Sequence, residues 1–126
     1  RVRSSAASDV YKRQGNIDEF LRLVSKSGDS SYKYLQNIYS TKDTANQGVS
    51  LGLMMSEIFL GDNGSYSNGA YSNGVCRVHG GGFAGTILAI VKDNAVDEYR
   101  RNMDKIFGDG ASMILQIRHC GGVRII

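Results

Sequence analysis

An α+β domain is the class this sequence predicts, and three observations predict it. Apolar residues recur at helical spacing through the first part of the chain and again over residues 95–107. Two short β-branched and apolar runs, residues 75–79 and 86–91, are separated only by a glycine cluster. The resulting order is helices first, then strand, strand, helix and strand, which separates the helices from a hairpin instead of alternating them with strands.

Each element has a local reason. Asn16 is an N-cap type residue, Asp18 and Glu19 come after it in a first turn, and Ile17, Phe20, Leu21, Leu23 and Val24 follow at helical spacing, so a helix is expected over residues 17–27 with Gly28 closing it. Asp29 or Ser30 can cap a second, shorter helix with Tyr34, Leu35 and Ile38 on one face, ending near Tyr39 and Ser40. A third helix over residues 44–60 carries Val49, Leu53, Met54, Met55, Ile58 and Phe59 around more than half its circumference, which predicts burial on more than one side. Gly48, Gly52 and Ser56 form a small-residue stripe along it. Each of those glycines costs about 1 kcal/mol relative to Ala, so close packing of a neighbour is the expected compensation.

Residues 61–74 repeat Tyr-Ser-Asn-Gly at Tyr66 and Tyr71 and contain almost nothing to bury. A surface loop is expected there, with no function assigned, because long insertions cost little closure entropy. After the two strands, Val96, Tyr99, Met103 and Ile106 mark an amphipathic helix over residues 95–107, stopped by Gly108 and Gly110. Met113, Leu115 and Ile117 alternate with Ile114, Gln116 and Arg118 in an expected final strand, and Gly121-Gly122 leads into the apolar residues 123–126.

The formal charge of +3 has a local origin. Arg1, Arg3, Lys12 and Arg13 face only Asp9 within residues 1–14, whereas residues 15–126 hold 11 basic and 11 acidic side chains. Ser4 through Gln14 reads SSAASDVYKRQ, which resembles the in-frame translation of a transposase-type sequencing-library adapter. On that reading residues 1–14 are a non-native, disordered tail, the chain begins at Arg1 because the gene was interrupted before Gly15, and residues 15–126 are one incomplete domain. With the tail set aside, Arg100, Arg101 and Lys105 are offset by Asp97, Glu98 and Asp104 on the same helix, which argues against nucleic acid as a partner. No run approaches the ~20 apolar residues that span a bilayer, and Cys76 and Cys120 form neither a CxxC pair nor a disulfide framework, so a cytoplasmic protein is expected.

The chemistry is expected in residues 74–87. Gly80, Gly81, Gly82 and Gly85 occupy four of six positions between the strands, leaving amides unshielded by Cβ atoms and able to approach a phosphate or another backbone. Gly80, Gly82 and Gly85 also satisfy G-x-G-x-x-G. A dinucleotide fingerprint needs a helix directly afterwards, and Thr86-Ile87-Leu88-Ala89-Ile90-Val91 is strand-like, so that reading is set aside. Cys76, His79, His119 and Cys120 could be arranged on paper around zinc. Residues three apart or adjacent in a strand point to opposite faces, so packing roles are preferred and no metal ligand is assigned.

The stretch Arg77-Val78-His79-Gly80-Gly81-Gly82-Phe83-Ala84-Gly85-Thr86-Ile87 is similar to the third motif of galactokinases, in the C-terminal half of the GHMP small-molecule kinases. Phe20-Leu21-Arg22-Leu23-Val24 and residues 30–37 resemble the helical region upstream of it. Val96-Asp97-Glu98-Tyr99, Ile106-Phe107-Gly108, Ile117-Arg118 and Gly121-Gly122-Val123-Arg124 resemble the helix, strand and terminus downstream of it in clostridial relatives. His119 departs by standing where many relatives place proline, and residues 61–74 look longer than usual. The resemblance implies a ferredoxin-like β-α-β sheet packed with helices, in a kinase that transfers the γ-phosphoryl group of ATP, with Mg²⁺, to the anomeric hydroxyl of galactose. It implies that Gly80, Gly81, Gly82, Phe83, Ala84 and Gly85 support the ATP phosphate loop. The catalytic Asp and Arg belong to the family's first two motifs, which this sequence does not contain, so no catalytic residue is assigned and the chain alone is expected to be inactive. An apolar surface is expected where the other half would pack. Two alternatives share the element order: a GHMP kinase acting on another sugar, homoserine or mevalonate, and a non-enzymatic β-α-β binding module.

Overall fold

The computed structural model describes residues 15–61, 73–79 and 85–115. The expectations for the 1–14 tail, most of the Tyr-Ser-Asn-Gly loop, Gly80, Gly81, Gly82, Phe83 and Ala84, and everything from Gln116 onward, His119 and Cys120 included, lie outside the described residues. Among those described, helices and a two-stranded antiparallel sheet make a mixed α+β arrangement. No described helix is long and apolar enough to cross a membrane.

Helix α1, Ile17–Ser30, begins as its sequence dictates, with the Asn16 Oδ1 accepting from the Glu19 amide at 3.1 Å. Arg22 then donates to Glu19 through Nε at 2.6 Å and through a second guanidinium nitrogen, which holds the Glu19 carboxyl below its ordinary value. Gly28 does not end this helix. The chain runs through it to Ser30 and on into a π-helical turn, Ser31–Leu35, that closes at Gln36 in the left-handed conformation with φ 49°. The separate second helix expected from Asp29 therefore does not form, and Tyr34 and Leu35 are exposed while only Ile38 of that apolar set is buried. The physical reason for glycine at position 28 is proximity: a Cβ there would lie 3.0 Å from Arg77 Cβ and 3.5 Å from the Cys76 carbonyl oxygen. Gly28 is a contact point with the sheet and not a stop signal.

The hairpin forms where the sequence places it. Strands β1, Gly74–Val78, and β2, Ile87–Val91, pair antiparallel in a register running from Gly74 opposite Val91 to Val78 opposite Ile87. The sheet is packed on both faces. Val75 and Ile90 meet Leu21, Val24 and Phe20 of α1. On the opposite face, reached by alternation, lie Cys76 and Ile87. There the Cys76 thiol is 3.9 Å from the Leu53 carbonyl oxygen, and a Cβ on Gly52 would come within 3.5 Å of Ile87 Cδ1. Val75 and Val78, one on each face, are both almost wholly buried, as befits a strand between layers.

Helix α2, Gly48–Leu60, starts four residues later than its apolar pattern predicts: residues 44–45 form a turn, 46–47 belong to no element, and Gln47 Nε2 donates to the Thr44 carbonyl. Its small-residue stripe is packing surface from Gly52 onward. Gly52 is covered by Ile87 and Phe107, and the fully buried Ser56 hydroxyl shares a 2.8 Å hydrogen bond with Tyr99 Oη and lies 3.9 Å from Met103 Sδ. Tyr99 and Met103 belong to helix α3, Val96–Phe107, entered through a 3-10 turn at Asp93–Ala95 and ended at Gly108 with φ 101°. The opposite side of α2 has no cover among the described residues: Leu51, Met54 and Ile58, at helical spacing, stay 41%, 49% and 51% exposed.

Beyond α3 the chain is pinned by one carboxylate. Asp104 accepts from the Ser112 amide at 3.0 Å and the Gly110 amide at 3.4 Å, while Arg100 donates to the Ser112 carbonyl at 3.5 Å. Desolvation raises the Asp104 carboxyl, but these amides and the Arg100 charge outweigh it and hold the group below its ordinary value. The expected final strand is not present over the residues described: Met113, Ile114 and Leu115 belong to no element, and Met113 is 81% exposed. Their alternation needs a partner edge to become a strand, and no described residue pairs with them.

Candidate functional site

The glycine cluster is the connection between β1 and β2, and both of its shoulders are described. The His79 amide donates to the Thr86 carbonyl at 3.2 Å, one step past the last paired strand residues, so the hairpin ladder continues to the base of the loop. Gly85 has φ +78°, and a Cβ added to it would meet nothing within 4 Å. Conformation, and not crowding, is therefore what favours glycine at that shoulder. Of the six residues expected to support a phosphate loop, Gly85 alone is described.

Gly85 borders a cleft of about 340 Å³ shared with Ser40, Asp43, Asn46, Gly48 and Phe107. Sequence reasoning did not bring these residues together, because they meet through the turn at residues 40–43 and the delayed start of α2. Ser40 and Asp43 form an isolated antiparallel bridge, and the Ser40 hydroxyl accepts from the Lys42 amide at 3.2 Å. No sequence pattern singles out Asp43 or Asn46, and Gly48 is marked only as the start of the small-residue stripe.

Two features suit an anionic group. Helix α2 has no side-chain cap at Gln47, and its first backbone bond runs from the Leu51 amide to the Gln47 carbonyl at 3.0 Å, so the amides just before Leu51 lack intrahelical acceptors. Gly85 adds a conformationally free backbone beside them. Two features limit the charge the cleft can hold: the Asp43 carboxylate repels an anion, and among the described residues no Lys or Arg lines the cleft to neutralise one. Tested against ATP and Mg²⁺, the described lining, with Asp43 and no Lys or Arg, does not fit a complete triphosphate site. Among the described residues no group of three His, Cys, Asp or Glu side chains is placed to hold a metal ion.

A second cleft, of about 190 Å³, lies between α1, α2 and β1 and is lined by Asp29, Glu57, Cys76, Arg77 and Tyr32 with apolar neighbours. Burial, and then the Asp29 charge, pushes the Glu57 carboxyl up. Burial, followed by Glu57 and Asp29, pushes the Cys76 thiol up to about 12. This thiol is held protonated beside the Leu53 carbonyl, which makes it neither a nucleophile nor a ready metal ligand at neutral pH. Alkylation mapped to Cys76 at pH 8 should accordingly run on the order of a thousandfold slower than for an exposed cysteine, and reach the ordinary rate in denaturant. Rapid labelling of the folded chain at Cys76 would contradict that placement. Arg77 lines the same cleft, its Nη1 donating to Ser27 Oγ at 2.6 Å and its Nε to the Val78 carbonyl at 3.0 Å.

No family model, curated protein or solved structure matches this chain.

Proposed function

We propose that residues 15–126 are the C-terminal part of a galactokinase, an enzyme that moves the γ-phosphoryl group of ATP, with Mg²⁺, to the anomeric hydroxyl of galactose. The observation that carries the reading is the stretch from Arg77 to Ile87, similar to the third galactokinase motif, whose two described ends lie on antiparallel strands with the glycines between them. Its shoulder at Gly85 borders a cleft with uncapped helix amides, a setting suited to assisting a phosphate loop and not to proton transfer. The uncovered stripe of Leu51, Met54 and Ile58 is the kind of surface another part of a larger enzyme would bury. Catalysis falls to residues outside this chain: a phosphate cradle, a sugar site and a positioned carboxylate with its arginine partner.

A kinase of the same superfamily with another substrate shares every one of these features, and galactose is favoured only by the overall likeness. Sequencing the gene upstream of the Gly15 codon tests the reading. A galactokinase signature followed by a Gly/Ser-rich phosphate loop is the expected result. A different substrate motif there would redirect the assignment, and the absence of any phosphate loop would end the kinase reading.

A further inference from the structure

We propose that the outer edge of β2 is a docking edge for a second copy of this chain, which pairs with it antiparallel to make one four-stranded sheet. This does not rest on the kinase reading: it concerns the chain as it stands, and a dimer of an unrelated protein would satisfy it equally.

Two hydrogen bonds decide which backbone groups face outward. The His79 amide bonds to the Thr86 carbonyl and the Lys92 amide to the Asn73 carbonyl, at 3.2 and 2.8 Å. In an antiparallel ladder, hydrogen-bonded pairs alternate with non-bonded ones, so these two bonds fix the phase of the whole hairpin. Leu88 and Ile90 direct their amides and carbonyls toward β1. Ile87, Ala89 and Val91 direct theirs away from it, as do Gly74, Cys76 and Val78 on the other edge.

The two edges differ. On β1 the outward carbonyl of Val78 accepts from Arg77 Nε, and α1 lies against the outward carbonyl of Cys76 at Gly28. That edge is guarded by a charged side chain and a helix. On β2 no described residue outside the hairpin makes a backbone hydrogen bond to Ile87, Ala89 or Val91. The strand has no charge, proline or bulge along its length, and reads Ile-Leu-Ala-Ile-Val, an unbroken apolar run of the type found at the centre of a covered sheet. All five residues are nevertheless only half-buried. The sequence suits an interior strand, and among the described residues it lies at an edge.

Self-complementarity identifies the occupant. Pairing about a two-fold axis at Ala89 sets Ala89 against its own copy, Leu88 against the partner's Ile90 and Ile87 against the partner's Val91. Every pair is apolar, and each joins residues from the same sheet face. The three outward-facing pairs are then the hydrogen-bonded ones. Beyond the strand, Lys92 falls opposite the partner's Thr86, so no like charges oppose one another, and Ala89 keeps the axis uncrowded. Among the described residues beyond α3, Met113, Ile114 and Leu115 are exposed and do not pair with this edge.

Sedimentation equilibrium of the 126-residue protein, with and without Ala89→Pro, tests the proposal. Proline at position 89 removes an amide that faces away from β1 and leaves the β1–β2 bonds in place. A monomer–dimer equilibrium is expected, weakened about tenfold or more by the substitution. Amide exchange on the unsubstituted chain gives a readout that does not require the variant to fold. Ile87, Ala89 and Val91 should slow as protein concentration rises, while Leu88 and Ile90 are slow throughout. A dimer indifferent to Ala89→Pro would overturn the proposal, as would a monomer in which Ile87, Ala89 and Val91 are slow at every concentration, the sign that the chain covers its own edge. Association that leaves those three amides fast would equally overturn it and place the contact elsewhere, the Leu51, Met54 and Ile58 stripe being the first candidate.

Discussion

Gly74→Ala should lower the stability of the chain by about 3 kcal/mol, the sum expected when backbone strain and a steric collision coincide. Gly74 opens β1 with φ +153°, and a Cβ there would collide with the Ile90 carbonyl oxygen and stand 3.0 Å from both the Ile90 carbonyl carbon and Val91 Cα. Those are backbone atoms of the paired strand, so no rotamer change relieves the contact. Residue 74 is buried, and the neighbouring amides are tied down, Asn73 donating to Leu60 at 2.9 Å and Lys92 to Asn73 at 2.8 Å. Asn73, its chain neighbour, thus ties the end of α2 to the hairpin. Domains of this size are stable by only about 5–15 kcal/mol, so the substitution removes a large fraction of the total. Urea denaturation followed by circular dichroism should show the midpoint falling by roughly 1–3 M with little change in slope. Gly85→Ala is the control: its φ of +78° is strained for alanine but its surroundings are open, and about 1 kcal/mol is the expected loss. Equal effects at the two glycines would mean that the collision at Gly74 is not real.

The second large effect concerns activity. On the proposed kinase reading, in residues 15–126 joined to a galactokinase N-terminal half, Gly81→Val should reduce kcat with ATP by roughly a hundredfold, the scale on which losing one preorganised backbone contact is felt. The folding cost should be far smaller, because the described ladder ends at His79 and Thr86. A β-branched side chain obstructs close approach of that backbone to a phosphate loop and restricts the angles glycine can reach. Unchanged kcat and unchanged KM for ATP would remove the motif from the nucleotide side of the enzyme. Lost activity accompanied by a collapse of the folded state would assign it to packing.

The helices and the hairpin were legible because each is a local matter: a cap and a period for α1 and α3, two apolar runs flanking glycines for β1 and β2. What was misread depended on the partner surface. Gly28 resembles a stop signal in sequence, and only the approach of β1 explains why a glycine continues a helix there. Ser56 looked like one more small residue, yet its hydroxyl needs Tyr99, 43 positions away, to be satisfied on burial. The apolar band of α2 predicted burial on more than one side, but Leu51, Met54 and Ile58 stay exposed among the described residues. Of the strand expected from Met113 to Arg118, residues 113–115 belong to no element and the rest lies outside the described residues. Asp43 and Asn46 carried no signal for the cleft at all; a turn and a delayed helix start bring them to Gly85.

Galactose-dependent release of ADP, measured with Mg²⁺ for the 126-residue protein and for the same residues 15–126 joined to a galactokinase N-terminal half, tests the central claim most directly. Phosphoryl transfer relies on positioned phosphates, a metal ion and an oriented nucleophile, and the described residues hold neither a triphosphate site nor a positioned base. No release above background is expected from the 126-residue protein, and turnover within the usual range of about 1–100 per second is expected from the joined chain. Release from the short protein that vanishes without Mg²⁺ would contradict the assignment, as would a folded, joined chain with no activity toward galactose.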